Sequence, residues 1–117
     1  MSDITMSTER ALLGALLTDP GQLDELRYVR TQDFEIQRHR EIYTAIQDVH
    51  ADAPSLTGVA FADHVAARLP NPDFVWDFEL HTLALNCPDP DHGPTYARMV
   101  QEAAFRRDLA EHAERIG

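Results

Sequence analysis

The run Ser7-Thr8-Glu9-Arg10-Ala11-Leu12-Leu13-Gly14-Ala15-Leu16-Leu17-Thr18-Asp19-Pro20 is the first long apolar segment of the chain. Leu12, Leu13, Leu16 and Leu17 recur at i, i+1, i+4 and i+5, which puts all four on one stripe of a helix with 3.6 residues per turn. Ser7 is placed to cap the free amides of the first turn, and Glu9 stands where the positive end of the helix dipole favours an acid. Asp19-Pro20 closes the run, because the residue before a proline is pushed out of the α region. A helix with so apolar a face must bury it. The rest of the chain reads as material to bury it against.

Working outward, Gly21–Val29 reads as a short second helix with Leu23, Leu26 and either Val29 or Tyr28 inward. Thr31–Phe34 reads as a polar turn closed by an aromatic anchor, Phe34, with Asp33 able to bond nearby amides. A third helix is expected from about Gln37 to Ala51, with Ile42, Ile46 and Val49 as its stripe and Tyr43 and His50 widening it. Arg38, Arg40, Glu41, Gln47 and Asp48 fall on its wet side. A fourth helix follows a Thr57 cap, with Val59, Ala62, Val65, Ala66 and Leu69 in a stripe and Phe61 beside it. Leu69-Pro70-Asn71-Pro72 stops it. Phe74–Leu85 reads as a fifth helix with Trp76 or Phe78, Leu80 and Leu83 inward, and Cys87–Pro94 as a loop. The last helix is expected from about Thr95 to Ile116. It carries one stripe of Tyr96, Met99, Val100, Ala103 and Arg107, and a second, rotated stripe of Phe105, Leu109, His112 and Ile116. Two such faces suit a helix that packs its own domain with one and a partner with the other. No stretch alternates as a strand would, so the fold class is all-α: a compact orthogonal bundle of about six helices, the last one long. The expected core is Leu12, Leu13, Leu16, Leu17, Phe34, Ile42, Ile46, Val65, Leu83, Tyr96 and Val100.

At 117 residues the chain is one domain. Residues 1–6 read as a disordered tail, 7–94 as a helical head and 95–117 as a distinct C-terminal helix. An apolar share of 44% is ordinary for a globular protein. No window approaches a membrane span, and no secretory signal opens the chain, so a cytoplasmic location is expected. Twenty acids against ten bases give a net charge of −10, which disfavours tight binding to nucleic acid by this domain alone. All the bases are arginine, and without a lysine there is no P-loop. The single Cys87 excludes an internal disulfide and reads as a small half-buried residue. His39, His50, His64, His81, His92 and His112 lie on separate elements without metal-ligand spacing, and no Ser/His/Asp arrangement has a nucleophile-elbow context. Arg106-Arg107 reads equally as a solvated pair and as a contact. From the residues alone, the chain is a helical domain whose last helix offers surface to a partner.

Four segments in register carry a resemblance to a known family. Glu9-Arg10-Ala11-Leu12-Leu13-Gly14-Ala15-Leu16-Leu17-Thr18-Asp19-Pro20 resembles the first helix of the N-terminal domain of DnaB-type replicative helicases. Asp33-Phe34 with His39-Arg40-Glu41-Ile42-Tyr43-Thr44-Ala45-Ile46 is similar to that family's next segment. Val59-Ala60-Phe61-Ala62-Asp63-His64-Val65 resembles a further helix. The run from Tyr96 to Leu109, Tyr96-Ala97-Arg98-Met99-Val100-Gln101-Glu102-Ala103-Ala104-Phe105-Arg106-Arg107-Asp108-Leu109, resembles the opening of its C-terminal hairpin. The chain departs from the family at Glu35 and Gln37, at Pro72-Asp73-Phe74-Val75-Trp76, and at Cys87-Pro88-Asp89-Pro90-Asp91-His92-Gly93.

The resemblance implies a domain without catalysis of its own, which forms the collar of a helicase ring, associates with copies of itself through the hairpin and docks the C-terminal domain of a DnaG-type primase. Other replication proteins are further possible partners. ATP and Mg would belong to a RecA-like ATPase domain that this chain lacks, so no cofactor is expected here. The chain is expected to stop within the hairpin, leaving Phe105, Arg106, Leu109, His112 and Ile116 as an interface that self-associates or frays. Two alternatives stand beside this reading. One is a free-standing paralogue that modulates replication proteins. The other is a small metal-dependent enzyme built on the histidines and aspartates.

Overall fold

In the computed structural model, residues 3–26, 28–70 and 74–116 are described, with side chains for all of these except 3, 4, 74–78 and 114–116. The side chains of Trp76, Phe78 and Ile116, assigned above to core or interface, lie outside those described. Among the described residues there are five α-helices: α1 (Asp3–Thr18), α2 (Gln37–Asp52), α3 (Gly58–Ala67), α4 (Phe74–Leu85) and α5 (Gly93–Ile116). Three 3-10 segments, Pro20–Glu25, Thr31–Asp33 and Pro90–His92, join them, and no strand occurs among the described residues.

α1 is the central element, packed against α5, α4, α2 and α3. Its four leucines at 12, 13, 16 and 17 are all but inaccessible. They join Phe34, Ile42, Tyr43, Ile46, Phe61, Val65, Leu80, Leu83 and Val100 in one cluster, with Tyr96 half-buried at its edge. Burial on every side of α1 explains why its apolar residues outnumber a single stripe: Ala11 and Ala15 are buried as well. The helix starts at Asp3, so Ser7 lies inside it rather than at its cap, and Asp3–Met6 are helical rather than a tail.

Gly14 sets how closely α1 and α4 approach. A Cβ there would collide with the backbone carbonyl oxygen of Leu83 and stand 3.0 Å from Cβ of Cys87. Gly14→Ala should therefore lose stability even though alanine is favoured in helices by about 1 kcal/mol, because a backbone neighbour cannot rotate away; a net loss of about 2 kcal/mol is expected in urea unfolding. An unchanged or raised midpoint would show that the two helices can separate at little cost.

The expected second helix is instead a 3-10 turn. Leu23, Leu26 and Val29, all buried, follow at spacings of three, which suits three residues per turn better than 3.6. The amides of Leu26 and Val29 donate three residues back, to the carbonyls of Leu23 and Leu26. Gln22 pins the turn. Its Nε2 donates to the carbonyl of Pro90 at 2.8 Å and to that of Ala15 at 3.3 Å, while its Oε1 accepts from the amide of Gly93 at 3.0 Å. A Cβ at Gly93 would collide with that Oε1, so a larger residue there would have to displace the Gln22 side chain. Gln22 thus ties the end of α1 to the start of α5 across 71 residues of chain.

Two expected core placements are corrected, and one left open is decided. Val59 is 66% exposed and Phe61 takes its place inside, because the left-handed turn at Gly58 (φ 67°) rotates the start of α3. Thr57 stands at the N-cap of α3, but its side chain makes no capping bond. On α5 the inward seam is Ala97, Val100 and Ala104, and Met99 is exposed. Small side chains let α5 lie close to α1, and that turns Met99 outward. Val29 rather than Tyr28 is the buried member of its pair.

Tyr43 is buried, with its ring tilted against Phe34 at a centroid distance of 4.8 Å and its hydroxyl donating to the carbonyl of Val29 at 2.9 Å. Burial, with the Asp33 carboxylate and Tyr28 adding to it, pushes this hydroxyl up from 10.0 to about 12. The folded state therefore holds the proton more tightly than the unfolded chain. The stability this contributes is intact below about pH 10 and is lost as pH rises through about 12. Urea midpoints should fall across that window, and Tyr43→Phe should remove most of the fall; an equal fall in the variant would assign it to other groups.

Candidate protein-interaction surface

α5 spans 24 residues, about 36 Å at 1.5 Å per residue. Up to Ala104 one side of it is buried against the bundle; from Phe105 to Ala113 every residue but the half-buried Arg107 is exposed. The helix thus runs on past the core, in a molecule measuring 49 × 29 × 25 Å. Phe105 is 63% exposed and Leu109 54%, one helical turn apart on the same flank. Arg106 and His112 are exposed as well, so four of the five residues read from the sequence as an interface share the free part of α5.

Arg107 is separated from Arg106 in role. Its Nη2 donates to the carbonyl oxygen of Asp33 at 2.8 Å, and its Nη1 lies 3.9 Å from Oε2 of Glu35. It fastens α5 to the Thr31–Asp33 turn, while Arg106 faces solvent. The Asp33 carboxylate is itself held by the backbone amide of Arg30 at 2.9 Å and by its guanidinium at 3.3 Å.

Two grooves flank α5. One, of about 480 Å³, lies against the Thr31–Asp33 turn and is lined by Arg30, Asp33, Gln101, Ala104, Phe105 and Asp108. The other, of about 470 Å³, lies against α1 and includes Thr5, Thr8, Met99, Ala103 and Arg107. Met99 and Arg30 were not expected at this surface. Helical spacing of the Ala97, Val100 and Ala104 seam places Met99 outside, but which of two apolar stripes faces α1 depends on side-chain size as well as hydropathy.

Behind the second groove lies a polar joint that spacing did not disclose. Glu9 is 1% exposed and His39 7%. The Glu9 carboxylate accepts from the amide of Glu35 at 2.7 Å and of Ile36 at 3.4 Å, and Nδ1 of His39 lies 2.9 Å away. Ile36 is the N-cap of α2, so Glu9 supplies the acceptor that this helix start lacks in its own side chains. The dipole that Glu9 meets is that of α2, not of its own helix.

The other histidines are dispersed: His50 beside Asp24 at 3.5 Å, His81 beside Asp63 at 3.5 Å, His92 beside Asp89 at 3.4 Å, and His64 on the carbonyl of Ala60. Among the described residues no three His, Cys, Asp or Glu side chains converge as a metal site would require. Cys87 is half-buried, its thiol directed at the carbonyl of Ala11, and burial pushes its pKa up. Among the described residues no helix is long and apolar enough to cross a membrane.

Comparison with known proteins identifies the family of this helical domain. The family described as DnaB-like helicase N terminal domain matches residues 3–102. The chain belongs to that family. A curated relative, the replicative DNA helicase DnaB of Leifsonia xyli subsp. xyli (strain CTCB07), is 28% identical over 116 aligned residues, covering 95% of this chain and 24% of the helicase. The chain thus spans about a quarter of the length of that relative. No solved structure gives a significant match. The DnaB family match ends at residue 102, just before the exposed Phe105–Leu109 segment of α5.

Proposed function

We propose that this chain is a non-catalytic, cytoplasmic collar domain of the DnaB-type replication machinery, which associates with copies of itself and docks primase through α5. The observation that carries the reading is the exposed pair Phe105 and Leu109 on the part of α5 that runs past the core, where every residue from 105 to 113 but the half-buried Arg107 is exposed. Exposed apolar residues grouped on one element, rimmed by charge, are characteristic of interaction surfaces. Membership of the family supports a role in replication, and the strongly acidic head supports protein rather than DNA as the partner of the isolated domain.

Phe105→Asp and Leu109→Asp should each shift the solution mass towards the monomer while leaving helicity and the urea midpoint within about 0.5 kcal/mol of the parent, the usual range for exposed positions. A loss of helicity would place these residues in the core instead. Calorimetric titration with the C-terminal domain of primase from the same cell tests the second half of the reading. Micromolar or tighter binding that is lost in Leu109→Asp supports docking through α5. No heat of binding from a folded sample would favour a paralogue with another partner, a change for which the divergent Cys87–Gly93 segment is the natural place to look.

A further inference from the structure

The outer half of α5, residues 105–116, runs on beyond the core. It is no longer than the about 12–15 residues below which an isolated helix is marginal in water. Of its side chains from Phe105 to Ala113, that of Arg107 is the only one not exposed. Nη2 of Arg107 donates to the carbonyl oxygen of Asp33 at 2.8 Å, while Nη1 is buried without a hydrogen-bond partner, 3.9 Å from Oε2 of Glu35. The segment that Arg107 meets is fixed residue by residue. Arg30 holds the Asp33 carboxylate, Nε of Arg40 donates to the carbonyl of Phe34 at 2.6 Å, and Glu9 accepts from the amides of Glu35 and Ile36. The Phe34 ring is buried in the core.

We infer that Arg107 is a latch: closed on the Asp33 carbonyl, its guanidinium keeps the outer half of α5 helical, and its release lets residues 108–113 open while the head stays folded. This holds whether or not the flank binds a partner. A helix that continues from a buried half needs no new nucleus, but exposed outer turns gain nothing from packing and fray from the free end. A hydrogen bond from a charged donor is roughly twice as strong as a neutral one, so a single such bond weighs heavily on so marginal a stretch. The acceptor is a backbone oxygen on a segment tied to α1 and α2, and it cannot swing away as a side chain would. The Glu35 carboxylate is partly exposed and beyond hydrogen-bond distance, so it adds little. The order of the outer half therefore depends on the Asp33 carbonyl rather than on an ion pair, and salt has little hold on it.

Amide hydrogen exchange and Cα chemical shifts of the whole chain, followed by NMR, test this. Arg107→Met keeps the stem and a similar helix propensity and removes only the guanidinium. In that variant the amides of 108–113 should exchange roughly tenfold faster or more, and their Cα shifts should move towards coil values, while the Cα shifts of Leu13, Leu16 and Ile46 stay in place. Arg107→Lys, whose ammonium can reach one oxygen, should fall between Arg107→Met and the parent. Glu35→Gln should stay within about twofold of the parent. The comparison is repeated in a Leu109→Asp background, and that set decides, because association through the flank would protect the same amides. Exchange of 108–113 that Arg107→Met leaves unchanged overturns the inference, since the helix then carries itself. Displaced shifts throughout the head overturn it too, by making Arg107 part of the core fold. A loosening in Glu35→Gln as large as in Arg107→Met moves the latch to the ion pair and overturns its assignment to the Asp33 carbonyl. Whether Phe105 and Leu109 contact a partner is decided separately, by the solution mass.

Discussion

Glu9→Ala should cost about 3–5 kcal/mol, the range for removing one partner of a buried, hydrogen-bonded pair. The substitution deletes the acceptor for the amides of Glu35 and Ile36 and for the imidazole of His39, and each donor left buried and unpaired costs about 1–3 kcal/mol before relaxation. Against a total stability of about 5–15 kcal/mol for a domain of ordinary size, that is a large share. Glu9→Gln separates charge from hydrogen bonding. Its oxygen can keep the Glu35 amide, and its amide group can donate to Nδ1 of His39 if the ring adopts the other tautomer, so only the long bond to Ile36 is lost. Glu9→Gln should then lose less than half of what Glu9→Ala loses in urea unfolding. Equal losses in the two variants would show that the negative charge at the start of α2, rather than the hydrogen bonds, is what the joint requires.

Leu16→Ala should cost about 2–5 kcal/mol, the sum of lost apolar transfer and the cavity left behind. Leu16 is wholly inaccessible at the centre of a helix that touches four others, so the surrounding side chains are held from several directions and cannot collapse into the space. The upper half of the range is the expectation for that reason. Circular dichroism during urea titration measures it, and a loss under about 1 kcal/mol would mean that the inner face of α1 is assigned wrongly. Leu17, 2% exposed on the same stripe, provides a companion measurement.

Much of this molecule was legible in the residue order because hydrophobic periodicity is a local signal. The 12, 13, 16, 17 stripe of α1, the 42, 46, 49 stripe of α2 and the proline stops at 20 and 70 needed no knowledge of neighbours, and each corresponds to an element boundary or a buried face in the structure. The resemblance in four segments pointed to the family that the comparison with known proteins then showed. On α5 the exposed second stripe of Phe105, Leu109 and His112 was readable, but of the inward stripe expected at Tyr96, Met99, Val100, Ala103 and Arg107 only Val100 is buried, because the seam is rotated to the small Ala97 and Ala104.

Other features depend on groups far apart in the chain. Whether Gln22 would sit in solvent or pin a 3-10 turn depends on the carbonyl of Pro90 and the amide of Gly93, which only folding brings to it. Glu9 and His39 look like surface residues of two separate helices until the start of α2 is laid across α1. Gly14 reads as a weak point of a helix until the Leu83 carbonyl is placed against it. Residue order determined which helices form and which faces are apolar, because those follow from spacing within a few turns. Tertiary structure alone decided which polar groups are buried and where a glycine lets two elements approach, because a hydrogen bond or a steric limit exists only once its second partner has arrived.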